Sequence, residues 1–266
     1  MRRQKSQLNA REHGEFSPSQ NTGTLFLVST PIGHPDDISL RALKILGAVH
    51  IIAAETPTSI QKLLTHHGIH ATITSYGPKN LAEKVLLLTD RLRKGQDVAL
   101  VVEGGTPAVH DPGQLLIAAA HRSRLPVRVI PGPSAVTASM ALSGYCGDRF
   151  VFAGKLPQKD RSLLPFLRTF LNERRPVIFL ADPGALPKAL NHMANLFGVR
   201  ELTLAVDLTK SGEIVLRGTA ASLIPQLTLM SHHAEITLVL EEKKRRSRVY
   251  GAKKAGRATR RHYGDG

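Results

Sequence analysis

Between residues 24 and 144 short apolar runs alternate with stretches of helical periodicity, and this alternation constrains the fold more than any other feature. TLFLVS (24–29), VHIIAA (49–54), ATITSY (71–76), DVALVV (97–102) and PVRVI (126–130) each have the length and apolar, β-branched character of a strand. Between them lies ISLRALKILGA, with Ile38, Ala42, Ile45 and Leu46 in helical register and Asp37 as the expected cap. Further helices are expected at 60–67, stopping at Gly68, at 81–94, stopping at Gly95, and at 115–122 and 134–142. Parallel strands need a crossover, and a helical crossover covers a sheet face. The pattern therefore predicts an α/β fold with a mostly parallel sheet and helices on both sides.

GYCGDRF (144–150) breaks the alternation and is the expected domain junction. Beyond it come a helix from about 160, PVIFLA (176–181), a helix over about 184–197 and ELTLAV (201–206). A hairpin around EIVLRG (213–218), a short helix and EITLVLEE (235–242) complete the pattern and predict a mixed sheet. The expected organisation is two α/β domains, 24–144 and 150–242, between tails at 1–23 and 243–266, with no internal repeat.

Charge separates the tails from the body. The net charge is +15, of which residues 243–266 carry +9 and residues 1–23 carry +2, leaving +4 for the body. KKRRSR followed by AKKAGRATRRH cannot build a core and is expected to be disordered. Such a polycation either binds a phosphate backbone through counterion release or simply aids solubility. Cys146 is the sole cysteine, which excludes a disulfide framework or a CxxC metal site within the chain and fits a reducing compartment. No apolar run reaches membrane-spanning length, and the N-terminus lacks the apolar core of a secretory signal. A cytoplasmic protein with no membrane partner is expected.

In open α/β sheets ligands sit outside the carboxyl ends of the strands. Here those ends read STPIGHPDD (29–37), AETPT (54–58), EGGTP (103–107) and PGPSA (131–135). Glycine admits close backbone approach and proline fixes the turn, so the loops suit a ligand gripped by main chain. Neither GxGxxG nor GxxxxGK[ST] occurs, so a dinucleotide fold or P-loop is not supported. Glu55, Glu103, Asp111 and His34 are the candidate bases at this end. Glu55 and Glu103 should end neighbouring strands, and two close carboxylates push one pKa up. Glu103 alternatively orders the glycine loop, and Asp111 alternatively caps the next helix. The pairs His66-His67 and His232-His233 have no evident ligand companions, so no metal site is read and both are taken as structural or exposed.

The ordered set TLFLVSTPIGHPDDISLRALKILGAVHIIAAE, EGGTPAVHDPG and PGPSA resembles the tetrapyrrole-methylase-like (class III) methyltransferases. Within them it is most similar to the ribosomal RNA small-subunit methyltransferase I family, through DRFVFAGKLPQKDR, AVDLTK and HAEITLVLEE, over residues 24–242. The resemblance implies two α/β domains of the tetrapyrrole methylase type, with S-adenosyl-L-methionine folded into the cleft between them. It implies 2′-O-methylation of a cytidine in 16S rRNA of the small ribosomal subunit, and a homodimer. Carried over by position, Ile32, Thr106, Val109, Ser134 and Ala135 contact the cofactor, Gly105 and Pro107 shape its loop, and Leu180 and Ala205 contribute from the second domain. Glu55 and Glu103 are the catalytic candidates, and Lys155 and Lys159 either contact phosphate or form a solvated helix start.

The departures cluster in other loops. His34 replaces the family's Asn, Thr56 and Thr58 replace Asp and Arg, Glu103 replaces Asp, and Lys155 replaces an aromatic. After the third strand the family's His-Asn-Glu becomes SYGPKN, keeping only Asn80. Beside the active rRNA methyltransferase stand two alternatives: a homologue that binds cofactor or rRNA without transferring, and an enzyme with another acceptor.

Overall fold

The computed structural model describes residues 22–145, 147–229 and 231–243; Cys146 and the tail segments 1–21 and 244–266 lie outside the described residues. The first unit runs β1 (Leu25–Val28), α1 (Leu40–Leu46), β2 (Ile51–Ala54), α2 (Pro57–His66), β3 (Ile73–Ser75), α3 (Leu81–Arg93), β4 (Val98–Val101), α4 (Gln114–Arg122), β5 (Val127–Ile130) and α5 (Ala135–Ser143). Its five strands are all parallel, in the order β3-β2-β4-β1-β5. Gly23, placed in the expected tail, is buried, and its N–H donates to Leu92 O at 2.8 Å.

Alternation along the strands explains the two-sided core. Val28, Ile52, Ala54, Ala99 and Val101 point to one face, where Ala42 and Leu46 of α1 and Ile60 and Leu64 of α2 cover them. Leu25, Ala53, Val98 and Leu100 point to the other, under Leu88 and Leu92 of α3 and Leu116 and Ala120 of α4. Every residue of β4 is buried, as a central parallel strand covered twice must be. Each fully buried Leu or Ile contributes about 1.5–3 kcal/mol relative to exposure.

Helix starts differ from the sequence reading. Asp37 lies in a one-turn 3-10 helix, Pro35–Asp37, and Ser39 caps α1 instead, its Oγ accepting from Ala42 N at 3.1 Å. α2 begins at Pro57, three residues before the expected start, because proline suits the first helical position, where an N–H has no partner.

The second unit runs β6 (Val151–Lys155), α6 (Asp160–Arg168), β7 (Val177–Ala181), α7 (Leu186–Phe197), β8 (Glu201–Val206), β9 (Ile214–Thr219), α8 (Ala220–Leu223) and β10 (Ile236–Leu240). Its order is β6-β7-β10-β8-β9, with β6 parallel to β7 and the other pairs antiparallel. The mixed sheet and the β8–β9 hairpin agree with the sequence pattern. One face packs on α6 and α7 through Leu163, Leu167, Leu190 and Met193. On the other, Met140 of α5 packs on Ile178 and Val239. The last helix of the first unit thus covers the second sheet and binds the units together. Among the described residues no helix is long and apolar enough to cross a membrane.

Candidate active site

The loop after β4 is stitched to the end of β1. Ser29 and Thr30 are fully buried. Ser29 Oγ lies 2.9 Å from Thr106 Oγ1, and Thr30 Oγ1 donates to Val102 O at 2.9 Å. Thr30 and Gly105 exchange both backbone hydrogen bonds at 3.0 Å. Gly105 sits at φ +91°, where a Cβ is penalised. Ala108 and His110 on this loop, and Asp207 and Thr209 after β8, also have positive φ without being glycine. Such residues cost about 1–3 kcal/mol each and persist where surrounding structure holds them, often at functional sites.

Across the units the loop after β1 faces the loop after β8, and the loop after β4 faces β6. A Cβ on Gly33 would lie 2.3 Å from Leu208 O and 2.5 Å from Thr209 Oγ1, so only glycine permits this approach. His34 N donates to Thr209 Oγ1 at 2.9 Å. A Cβ on Gly154 would lie 3.7 Å from His110 Nδ1. Beside these contacts Ile32, Ala205 and Leu208 form one buried cluster with Ala135 and Ala138 packed against it. Three residues expected at the cofactor, Ile32, Ala135 and Ala205, therefore meet although they come from β1's loop, α5 and β8. Ser134 is the N-cap of α5 and makes no side-chain cap bond, so the first-turn N–H groups stay available. Thr106 is fixed by Ser29, Val109 is exposed, and Leu180 is part-buried on β7.

The carboxylates stand at the rim. Ala54 pairs with Val101, so Glu55 and Glu103 leave adjacent parallel strands at the same sheet edge, and both are exposed. Glu103 Oε1 accepts from Ser59 Oγ of α2 at 2.7 Å. It makes no hydrogen bond to the glycine loop among the described residues, because Ser29 and Thr30 already order that loop. Glu55 leans toward the end of β3: a Cβ on Gly77 would lie 3.4 Å from Glu55 Cγ. Asp111 does not cap α4, whose N-cap is Gly113 without a side-chain bond. Burial pushes the Asp111 carboxyl above its ordinary range; His110 opposes this and Glu55 reinforces it.

The expected phosphate contacts are placed differently from each other. Lys155 Nζ lies 2.6 Å from Asp182 Oδ1, and Gln158 Nε2 donates to Asp182 Oδ2 at 2.7 Å. Burial alone would raise the Asp182 carboxyl, but Lys155 and Gln158 hold it below its ordinary value. The Lys155 charge is thus committed within the protein, while Lys159 is exposed at the start of α6. The His66-His67 pair does have a companion, since Asp36 joins it. Sequence reasoning missed Ser29, Thr30, Gly33, Ser59 and Thr209. The small residues of STPIG were the only trace of the first three. Thr209 lies in AVDLTK, but nothing in that stretch marks its bond to His34, 175 positions away.

Residues 24–224 match the family model of Tetrapyrrole (Corrin/Porphyrin) Methylases. The ribosomal RNA small subunit methyltransferase I of Thermotoga maritima is 34% identical over 222 residues, covering 83% of this chain and 99% of that protein. Its namesake from Synechocystis sp. is 38% identical over 219 residues, covering 82% and 78%. Among solved structures, the cobalamin biosynthetic enzyme cobalt precorrin-4 methyltransferase matches with a TM-score of 0.65 at 17% identity, covering 85% of this chain and 98% of that one. Uroporphyrin-III-C-methyltransferase from Thermus thermophilus matches with a TM-score of 0.57 at 20% identity, covering 82% and 94%. These structures bear on the fold; the sequence relatives bear on the family. The chain is a methyltransferase of the tetrapyrrole methylase fold and belongs to the ribosomal RNA small subunit methyltransferase I family.

Proposed function

We propose that this methyltransferase uses S-adenosyl-L-methionine to methylate the 2′-hydroxyl of a cytidine ribose in 16S rRNA, acting on the small ribosomal subunit in the cytoplasm as a homodimer. The observation that carries the reading is the convergence of Ile32, Ala135 and Ala205 beside the strained loops after β4 and β8. The domain division at 24–144 and 150–242 belongs to the same proposal, with the cleft between the two sheets.

The residues present fit the cofactor. The bare backbone at Gly105 leaves room that a side chain would fill, its nearest neighbour being Ile32 Cγ2 at 3.9 Å from a Cβ there, and the Ile32 cluster with the half-buried Ala135 at its margin offers an apolar wall for an adenine. The first-turn N–H groups and dipole of α5 suit a carboxylate, placing Ser134 and Ala135 at the amino-acid end. Thr106, Val109, Gly105 and Leu180 complete the set. The bound cofactor supplies a methyl group already activated on a sulfonium. The protein's task is then positioning, which accounts for much of the acceleration in a displacement, and proton removal from the ribose hydroxyl. Asp111, whose carboxyl burial raises above its ordinary value with Glu55 adding to the effect, is the group suited to accept that proton. Glu103, steadied by Ser59, orients the acceptor. Lys159 offers an exposed cation to the RNA backbone, and residues 244–266, outside the described residues, add nine positive charges and one negative.

The experiment is ribose-methylation mapping of 16S rRNA from cells with and without the gene. Loss of one cytidine 2′-O-methyl, restored by wild type but not by Glu103→Ala, is the expected result. An unchanged map contradicts the acceptor assignment. An enzyme with another acceptor is then the favoured reading, on the ground that Thr56 and Thr58 alter the rim while the Ile32 wall is kept.

A further inference from the structure

We infer that Asp36, His66 and His67 form a binding site for a transition-metal dication of the zinc type, where the Pro35–Asp37 turn meets the C-terminal end of α2. One ligand atom of each residue lies within 4.8 Å of the other two. His66 Nε2 is 3.0 Å from Asp36 Oδ1. Two ligands held at about 2.0–2.1 Å on a tetrahedral ion stand about 3.3 Å apart, so this edge already has ligand spacing. An ion pair accounts for that contact but not for the second imidazole. The His66 and His67 rings meet edge to face with centroids 4.7 Å apart. His67 Nε2 lies 3.1 Å from Pro35 O. A neutral ring donating there keeps its lone pair on Nδ1, and metal-binding histidines commonly hold their other N–H on a carbonyl in this way.

The chemistry selects the ion. Two imidazoles and one carboxylate favour zinc, nickel or copper, whereas magnesium prefers oxygen ligands and keeps its waters. The Asp36 and His66 side chains are about half to two-thirds exposed, at 65% and 49%, so an ion can enter and both can adjust. A cavity of about 300 Å³, lined by Gly33, Pro35, Ser59, His66 and Glu103, opens beside the cluster. A bound ion would tie the turn following Gly33 to the helix that carries Ser59. This inference is independent of the proposed function.

The test is calorimetric titration of zinc chloride, and separately magnesium chloride, into the full-length protein, with melting temperature followed in parallel. The wild type is compared with His66→Asn, His67→Asn and Asp36→Asn, and with His232→Asn/His233→Asn as a control. The expected result is one zinc per chain with a raised melting temperature. Affinity should fall at least about tenfold in each site variant, stay unchanged in the control, and magnesium should give no shift. Cobalt(II) should give a visible absorption band that the same three variants lose. No zinc binding by the wild type, undiminished binding by the site variants, or an equal response to magnesium would overturn the proposal.

Discussion

The closed wall and the open rim of this site obey different physics. The wall, at Ile32, Ala135 and Ala205, is apolar and pressed between the units; Gly33 leaves no space for a single added carbon. The rim, at Glu55 and Glu103, consists of exposed carboxylates, with Asp111 half-sunk between the two regimes. The wall is fixed by backbone, so its residues can hardly change without moving the fold. The rim is set by side chains with few bonds, so it can vary while the wall stays. Three departures from the family pattern expected from the sequence, Thr56, Thr58 and Glu103, lie at the rim, whereas His34, another, sits beside Gly33 at the wall through its N–H to Thr209.

The largest expected effect separates the two regimes at Asp111. Asp111→Asn should lower kcat about 10²–10⁴-fold while leaving cofactor affinity intact. The pH–rate profile checks the assignment: wild-type transfer should fall as pH drops through the raised Asp111 value, and the variant should lose that limb. The stability sign is opposite to the usual carboxylate. Burial favours the neutral acid, so its stabilisation is present at low pH and lost as pH rises through the raised value. Asn is neutral throughout, so at neutral pH the variant should melt no lower than wild type.

Gly33→Ala attacks the wall instead. The clash with Leu208 O and Thr209 Oγ1 should destabilise by about 1–3 kcal/mol and weaken cofactor binding at least tenfold by titration calorimetry. A normal cofactor affinity in this variant would break the distinction between wall and rim. Ser59→Ala is milder: losing the 2.7 Å bond to Glu103 should lower kcat about 2–12-fold, with melting temperature and cofactor affinity unchanged. Thr56→Asp with Thr58→Arg is the smallest expected change. Thr56 caps α2 without a side-chain bond, so Asp there should add about 0.5–1 kcal/mol of stability. A severalfold gain in transfer beyond that would mark a weakened family site; unchanged or lower transfer would mark a rim compensated in its own way.

The loops that carry both wall and rim were legible in the sequence, and the long-range bonds that hold them were not. The parallel strands read directly because β4, buried on both faces, has no polar residue to blur the pattern. The loops read because glycine and proline mark where the chain must bend at strand ends. The mistaken cap at Asp37 arose because two acids precede Ser39 and only geometry shows which oxygen reaches Ala42 N. The sequence favours Asp111 as a helix cap over a base, and the structure does not place it as the cap of α4; its burial depends on packing around the loop, which no local pattern shows. The Ser59–Glu103 and His34–Thr209 bonds join positions 44 and 175 residues apart, and no local pattern encodes such pairs.

The most direct test of the central claim is transfer by the purified protein to small ribosomal subunits lacking the modification, with methyl-labelled S-adenosyl-L-methionine and nucleoside analysis of the 16S rRNA. The account predicts one 2′-O-methylcytidine per subunit from the wild type and almost none from Asp111→Asn. Label on a base, on protein or nowhere would contradict it.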